Sequence, residues 1–363
     1  MASELKFLIF GAGAIGTYIG GSLVLAGQSV TYVEREKNVG ELKSRGLRLD
    51  LTLDESVVLS LSKGRNTKET FVIEPRAFTV ESSLESALRF GPFDVAIVAL
   101  KSYDTPALIE SMQPFAEKIP PILCLSNGVD NETLIAQAFG YDKVIYGTVT
   151  TAVRKRAIGD VVLEKLRGVG VATGHPLSEK LVDIFNEAFL KCFLYPHAGS
   201  MKWSKLFTNL VANASSAILN MNAKQVLSNK YSYKLEIAML KECLAVMKAM
   251  NLEVVDVPRT PARALAFATK LPLWISKPIV SRVAGGGRGN KMPSFHIDLH
   301  SGRGKSEVEY LNGAVVREGK RLGIPTPVNE LLTNNLLALT RKEIPLEEFA
   351  NKPEKLLEKL ESK

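Results

Sequence analysis

The period of the apolar positions changes along the chain, and this change divides the sequence into two parts. Up to about residue 178, short β-prone runs such as Lys6–Phe10 and Ser29–Arg35 alternate with helical stretches. Beyond that point, segments such as Tyr233–Asn251 and Ser306–Gly323 repeat apolar residues at helical spacing. Pro, Gly and Ser between Tyr195 and Lys202 mark a boundary. We therefore expect an α/β domain over residues 1–198 and a mainly α-helical domain over residues 199–363.

A glycine turn directly follows the first predicted strand. Gly11, Gly13 and Gly16 form G-x-G-x-x-G, and the helical pattern that begins after them ends at Gly27, before the second strand. The first glycine allows a tight turn, the second lets backbone approach a pyrophosphate, and the third lets helix and strand pack closely. The free N–H groups and dipole of the helix N-terminus favour phosphate. This context predicts a Rossmann-type dinucleotide-binding domain.

The end of the second predicted strand bears on the coenzyme. An acid at this position usually binds the ribose hydroxyls of NAD, whereas an arginine accommodates the extra phosphate of NADP. The chain has both Glu34 and Arg35, with Lys37 close by, and each could instead be a solvated strand end. The residues here leave both coenzymes open.

Further strands are predicted in the first half. Partly alternating segments at 47–61 and 69–80 indicate an antiparallel hairpin or meander inserted in the parallel sheet. Apolar strands ending near Lys101, Asn127 and Ala152 follow, and ligands bind at the carboxyl ends of such strands. These residues are therefore site candidates, although Asn127-Gly128 could be a turn and Lys101 a surface charge.

The segment Trp203–Asn220 combines an apolar helical pattern with one lysine and three asparagines. At about 100° per residue, Lys205, Asn209, Asn213, Ser216 and Asn220 share one narrow stripe of a continuous helix. Asparagine is a poor helix former, so packing alone does not explain it. A lysine ammonium beside such a stripe could polarise a carbonyl and donate a proton during nicotinamide-dependent reduction. A polar seam between helices is the alternative reading.

Six segments of the chain, in order, resemble the ketopantoate reductase family: FGAGAIG, ALKSYDT, LSNGV, WSKLFTNLVAN, MPSFHIDLHSGRGKSEVEYLNG and RLGIPTPVNE. The resemblance covers nearly the whole chain. It implies a Rossmann domain, a helical domain and NADPH-dependent reduction of ketopantoate to pantoate, a step of pantothenate and coenzyme A biosynthesis.

The resemblance also implies roles for particular residues. Lys205 is the implied proton donor, and Glu307 would reach the cofactor or the substrate hydroxyl. The implied substrate residues are Asn127, Asn209, Asn213, Asn220 and Ser294. The implied cofactor residues are Gly11, Ala12, Gly13, Ala14, Ile15, Gly16, Arg35, Lys101, Asn127, Ala152 and Glu307.

Three departures from the family pattern affect these assignments. The family commonly has an Asn-Gly pair after the signature helix, whereas this chain has Asn220 and Asn222 without the glycine. Glu34 is an unusual neighbour for an NADP site. Ser294 could also be an ordinary helix N-cap, and Asp298 and Glu307 could be structural or solvated acids.

Composition limits the remaining function classes. The 363 residues are 46% hydrophobic with a net charge of +8, and the basic residues are mixed with acids, so the charge suits anionic small molecules. Three widely separated cysteines and the absence of a signal-peptide pattern predict a reducing, cytoplasmic location. His296 and His300 lack a third ligand nearby, so we expect no metal. We expect no nucleic-acid or membrane partner, and a homodimer stays open.

Two alternatives to ketopantoate reduction remain open from the sequence. One is a related NAD(P)H-dependent reductase of another small 2-oxo acid. The other is a protein that senses NADP(H) without catalysis, although a sensor would not need the Lys205–Asn209–Asn213 stripe.

Overall fold

The computed structural model describes residues 4–52, 70–285 and 292–361. The chain divides into two compact units. The first unit comprises Met1–Ser126 and Asn131–Ala198, and the second comprises Asn127–Asp130 and Gly199–Lys363. The short Asn127–Asp130 segment therefore lies within the first half of the sequence but packs as part of the second unit.

The first unit is built of strands and connecting helices. The strands are β1 Lys6–Phe10, β2 Ser29–Val33, β3 Leu47–Asp50, β4 Thr70–Ile73, β5 Thr79–Glu81, β6 Val95–Val98, β7 Ile122–Cys124, β8 Val144–Val149, β9 Ala152–Ala157, β10 Asp160–Lys165, β11 Val169–Ala172 and β12 Cys192–Tyr195. The helices are α1 Ala14–Leu25, α2 Glu36–Arg45, α3 Leu84–Ala87, α4 Thr105–Met112, α5 Asn131–Phe139 and α6 Ser178–Glu187.

Eight of the described strands form one sheet in the order β12-β11-β8-β7-β6-β1-β2-β5. The six strands from β8 to β5 are parallel, while β11 is antiparallel to β8. In chain order these six strands give the arrangement 3-2-1-4-5-6, which is the order of doubly wound dinucleotide-binding sheets. Successive connections leave β1 in opposite directions, so the switch point lies between β1 and β6.

The strands of this sheet are buried on both faces. In β1, Phe7 and Ile9 join one apolar cluster, and the alternate residues Leu8 and Phe10 join another. This double burial explains why β1 reads as a continuous apolar run instead of an alternating one.

The predicted hairpin has the expected antiparallel pairing, but its two strands lie in a different sheet from the one expected. β3 and β4 are antiparallel, with Leu47 opposite Ile73. β3 and β4 do not enter the parallel sheet, because β3 also pairs with β10 in a separate sheet of order β4-β3-β10-β9. The last residues of the predicted segment, Thr79 and Val80, belong to β5 and do pair with β2 of the parallel sheet. The part of the predicted hairpin at 53–69 lies outside the described residues.

A second correction concerns the end of the first unit. The amphipathic pattern predicts a helix through Phe193, but α6 ends at Glu187 and Cys192–Tyr195 forms strand β12. Asn186 holds this change of direction, because its side chain bonds both the N–H and the carbonyl of Cys192. The helical part of the chain begins only at α7.

The second unit is helical. Its helices are α7 Ala198–Leu210, α8 Ala214–Leu219, α9 Ala223–Ser228, α10 Lys230–Ala249, α11 Ala262–Ala268, α12 Leu273–Gly285, α13 Ser294–His300, α14 Asn312–Leu322, α15 Pro327–Thr340 and α16 Pro353–Glu361. One apolar cluster has members in each of these ten helices. The charged, amphipathic C-terminal segment favours a solvated helix, but Leu356 and Leu357 of α16 join this cluster. The expected fold class, a Rossmann-type domain followed by a mainly helical one, is confirmed.

Across 4–52, 70–285 and 292–361, no helix combines the length and apolar character that crossing a bilayer requires.

We predict that Gly16→Ala destabilises the first unit, whereas Gly13→Ala does not. An ideal Cβ at Gly16 would lie 2.0 Å from the carbonyl oxygen of Gly11, but a Cβ at Gly13 would meet no atom within 4 Å. Such overpacking costs roughly 1–3 kcal/mol. Thermal and urea unfolding of both variants measure the difference, and equal midpoints would contradict the packing role of Gly16.

Candidate functional site

The glycine turn presents open backbone at the N-terminus of α1. Gly11 has a φ of +87°, and its N–H bonds the carbonyl of Val33 at 3.0 Å, so the turn is tied to the end of β2. Gly13 is the N-cap of α1 and supplies no side-chain cap. Because no atom lies within 4 Å of the position that a Cβ on Gly13 would take, an anion can approach the first N–H groups of the helix from that side. These residues fit the pyrophosphate of a dinucleotide.

Glu34 is bound to the glycine turn and is not a solvated strand end. Its Oε1 accepts the N–H of Ala12 at 2.7 Å. Its Oε2 accepts the side-chain amide of Asn38 at 2.7 Å and the N–H of Arg35 at 2.9 Å. Three N–H donors therefore stabilise this carboxylate in one position.

The Arg35 side chain is exposed, and the described residues give its guanidinium no acceptor or ion-pair partner. Arg35 is also the N-cap residue of α2, directly after the end of β2. The Glu34 carboxylate thus faces N–H groups of the protein, whereas the Arg35 side chain is exposed to solvent.

The other predicted cofactor residues of the first unit follow the carboxyl ends of strands. Lys101 comes three residues after β6 and precedes a short 3-10 turn. Ala152 follows β8 closely and is the first residue of β9. Leu100 approaches the glycine turn, since its Cδ2 lies 2.9 Å from an ideal Cβ on Gly11. The segment after β6 is therefore in contact with the turn at the switch point of the sheet.

In the second unit, the continuous helix predicted from Trp203 to Asn220 is wrong. Helix α7 ends at Leu210, α8 begins at Ala214, and Ala212 between them has a φ of +50°. The angular stripe therefore holds only within α7, where Lys205 and Asn209 are one turn apart. Asn213 lies in the interruption, and its position must be argued from its contacts.

A buried glutamate that the sequence reasoning missed holds this interruption. Glu236 of α10 is 0% exposed, and its carboxylate accepts the N–H of Ala212 at 2.7 Å and the hydroxyl of Ser215. An N–H group freed by a helix break would otherwise be buried without a partner. The available sequence signal was weak, because Glu236 is one of two acids within the apolar pattern of this long buried helix.

Hydrogen bonds join four predicted substrate residues into one network, which we call the amide network: Asn127, Asn209, Asn213 and Ser294. Asn209 donates to Asn127 Oδ1 at 3.2 Å, and Asn213 donates to the carbonyl of Asn209 at 3.2 Å. Asn213 Oδ1 then accepts the hydroxyl of Ser294 at 3.3 Å.

Asn213 also bonds the N–H of Phe295 at 3.1 Å, so its side chain satisfies the start of α13. It is 7% exposed, whereas Ser294 is exposed. Asn213 thus positions Ser294, and Ser294 is not an N-cap in the sense considered above, because the cap position of α13 is Pro293.

The Asn127–Asp130 segment is fastened to the second unit in three ways. Asn127 joins the amide network, Val129 packs on the apolar cluster, and Asp130 forms an ion pair with Arg317 of α14. Arg317 also donates to the carbonyl of Glu309 at 2.8 Å. These contacts explain why a strand-end motif of the first half belongs to the helical unit.

Helix α7 carries two lysines with different burial. Lys202 is 4% exposed, whereas Lys205 is half-buried and lies one turn before Asn209. A buried ammonium cannot meet a ligand without rearrangement, but a half-buried one can. Lys205 is therefore the lysine of this helix that can contact a small molecule beside the amide network.

The structure distinguishes Asn220 from Asn222, the two asparagines at the departure from the family pattern. Asn222 forms a capping box with Gln225 at the start of α9, so its side chain serves local structure. Asn220 is exposed and left-handed, with a φ of +51°, and its Oδ1 lies 2.8 Å from His296 Nε2. Of these two asparagines, Asn220 is therefore the one whose side chain contacts α13, the helix that bears Ser294.

The remaining candidates lie in the same unit. Glu307 is 1% exposed and opens a 3-10 turn, Glu307–Tyr310, so it is not a solvated acid. The rings of His296 and His300 lie 4.2 Å apart, and burial together with the charge of His300 lowers the pKa of His296. In the described parts of the chain, no cluster of three or more His, Cys, Asp or Glu could hold a metal.

The nucleotide-type sheet with its open glycine turn, and the helical unit with a lysine and an amide network, define a class: nicotinamide-dependent oxidoreductases. Two family models agree with this class. Residues 7–173 match the model described as ketopantoate reductase PanE/ApbA, and residues 199–340 match its C-terminal model. The chain belongs to the ketopantoate reductase family, whose members are oxidoreductases acting on CH–OH groups.

Curated relatives cover nearly the full chain. The chain is 26% identical over 333 residues to the 2-dehydropantoate 2-reductase of Pyrococcus abyssi, covering 90% of this chain and 95% of the relative. It is 27% identical over 332 residues to that of Archaeoglobus fulgidus, with the same coverage.

Solved structures show the same fold. A ketopantoate reductase of Ralstonia eutropha JMP134 has a TM-score of 0.74 at 24% identity and covers 93% of this chain and 99% of its own. A D-mandelate dehydrogenase, solved with NADH and anilino(oxo)acetate, has a TM-score of 0.72 at 21% identity with the same coverage.

We predict that Glu236→Gln lowers both stability and turnover, because an amide replaces one acceptor oxygen with a donor beside Ala212 and Ser215. Leaving a buried donor unsatisfied costs roughly 1–3 kcal/mol. Ser215→Ala removes one of these two bonds and should cost less. Urea unfolding combined with kcat measurement checks both variants, and a Glu236→Gln enzyme as stable as wild type would show that the carboxylate does not hold the break.

Proposed function

We propose that this chain reduces ketopantoate to pantoate with NADPH, that the first unit binds the coenzyme, and that Lys205 is the proton donor. The observation that carries the proposal is the amide network beside Lys205 in a chain that belongs to the ketopantoate reductase family. The relatives named 2-dehydropantoate 2-reductase support the choice of substrate.

The proposed chemistry needs a hydride and a proton. Reduced nicotinamide, when bound, supplies the hydride to a carbonyl carbon. The Lys205 ammonium polarises the carbonyl oxygen, stabilises the negative charge that develops on it and donates the proton that completes the alcohol. Lysine then regains a proton from water.

We assign the rest of the substrate to the polar groups of the second unit. The side-chain amides of Asn209 and Asn127 are joined by a hydrogen bond. Their remaining donors and acceptors are assigned to the carbonyl and hydroxyl groups of the substrate. Ser294, positioned by Asn213, takes the carboxylate end, and Asn220 completes the set. We assign Glu307 to a contact with either the substrate hydroxyl or the coenzyme.

We assign the coenzyme to the segment from Gly11 to Gly16, together with Arg35, Lys101 and Ala152. The preference for NADPH rests on charge. The Glu34 carboxylate is bound by three N–H donors, whereas the Arg35 guanidinium is exposed and can pair with a 2′-phosphate. NADH is the alternative, because an acid at this position binds ribose hydroxyls in NAD enzymes and the D-mandelate dehydrogenase neighbour was solved with NADH.

A second candidate keeps the chemistry and changes the acid. Asn222, one of the two asparagines at the departure from the family pattern, is used in a capping box, and no glycine follows Asn220. This altered region favours a reductase of another 2-oxo acid. Initial rates with ketopantoate, 2-oxoisovalerate and oxaloacetate, each with both coenzymes, decide between them, and the proposal requires ketopantoate to have the highest kcat/KM.

We predict that Lys205→Ala lowers kcat by roughly 10²- to 10⁴-fold, the usual contribution of a general acid, and leaves NADPH affinity nearly unchanged. Lys224→Ala, at an exposed position of α9, is the matched control and should behave as wild type. Steady-state rates and NADPH fluorescence titration measure the two effects. Unchanged turnover in Lys205→Ala would remove this lysine from the chemistry.

We predict that Arg35→Ala reduces kcat/KM for NADPH by about 10- to 100-fold, because a charge-assisted bond to phosphate is lost. The value for NADH should change by less than about threefold, since NADH lacks that phosphate. Lys37→Ala removes a neighbouring exposed cation and tests whether any nearby positive charge is sufficient for the NADPH preference. A wild-type preference for NADH would reverse the assignment of Arg35 and Glu34.

A further inference from the structure

Arg167 is a half-buried arginine at the ligand-binding edge of the first unit, and none of the roles above uses it. It precedes β11, whose first residue, Val169, lies opposite Val149 at the end of β8. Because β8 is the last of the parallel strands on that side, Arg167 lies just beyond its carboxyl end. Ligands of doubly wound sheets bind along this edge.

The backbone around Arg167 is held by two threonines. Thr151 Oγ1 accepts the N–H of Arg167 at 3.2 Å and that of Gly168 at 2.8 Å. The N–H of Thr150 bonds the carbonyl of Gly168 at 3.0 Å. Thr150 and Thr151 are 3% and 5% exposed, so the support is buried and the arginine projects from a fixed base.

The guanidinium itself is poorly satisfied. Its Nη1 donates to the carbonyl of Thr150 at 3.2 Å, and this is its one side-chain bond within the described residues. Four of its five N–H groups therefore face no protein acceptor there, and no carboxylate pairs with it. Burial lowers the pKa of Arg167. A partly desolvated cation without a counter-ion is costly, and a bound anion would offset that cost.

Distance along the sheet limits which anion this is. The glycine turn follows β1, which is three strands from β8, and three spacings of about 4.8 Å give roughly 14 Å. In doubly wound folds the pyrophosphate of a dinucleotide binds at the glycine turn. A pyrophosphate at the glycine turn would therefore lie three strands away from the end of β8 beside Arg167, which favours a different anion at this arginine.

We propose that Arg167 binds the carboxylate of the 2-oxo acid and thereby makes the enzyme specific for anionic substrates. This inference rests on the proposed function. A planar guanidinium suits this role because it can donate two parallel N–H bonds to a carboxylate.

The test compares 2-oxoisovalerate with its methyl ester, which keeps the reacting carbonyl and lacks the negative charge. With saturating NADPH, Arg167→Gln should raise KM for the acid roughly 10- to 100-fold, as expected for loss of a charge-assisted pair. Its kcat should stay within about threefold of wild type, and kcat/KM for the ester should be nearly unchanged. Arg167→Lys keeps the charge and should fall between wild type and Arg167→Gln for the acid.

Arg89→Gln, which removes an exposed arginine of the same unit, is the control and should match wild type. Equal losses for acid and ester, or a lowered unfolding temperature that accounts for the loss, would show a structural role and overturn the inference. An unchanged KM for the acid would also overturn it while leaving the proposed function intact. A wild-type enzyme that reduces no 2-oxo acid would overturn both.

Discussion

A buried N–H group must have an acceptor, and the arrangement of the helical unit depends on how the chain meets this requirement at Ala212. The helix that would run from Ala198 to Leu219 breaks there, and the Glu236 carboxylate accepts the freed group. With the break held, Asn213 turns toward α13 and bonds the start of that helix. The amide network therefore has its geometry because one carboxylate was placed in an apolar helix.

The glycine turn of the first unit meets the same requirement differently. The N–H of Ala12 has a protein acceptor in Glu34, but the start of α1 has no side-chain cap. N–H groups that bind a ligand must be accessible, and those at the start of α1 are accessible because the Cβ position of Gly13 is open. The helical unit thus satisfies the N–H group of its helix break with one of its own side chains. The first unit instead leaves N–H groups at the start of α1 for an anion.

Much of the fold and of the candidate site could be read from the residues. Continuous apolar strands, a glycine turn in a strand–turn–helix context and helical periodicity predicted both architectures. Lys205 and Asn209 were correctly placed one turn apart, because both lie within α7. The prediction of one continuous helix from Trp203 to Asn220 is wrong at Ala212, because it requires a regular rotation of about 100° per residue. No propensity marks that position, since alanine is the best helix former and its positive φ is imposed by the surroundings.

The sequence by itself determined the class of each unit, the nucleotide-type turn and the polar side chains available for chemistry, because these follow from local pattern and residue type. Only the tertiary structure decided which groups are already bonded. It assigned Asn222 to a helix cap, Glu34 to the glycine turn and Asn127 to the helical unit. It also left the Arg167 guanidinium half-buried and without a carboxylate partner among the residues that the structure describes. Such outcomes depend on contacts between residues far apart in the chain, and local periodicity carries no information about those contacts.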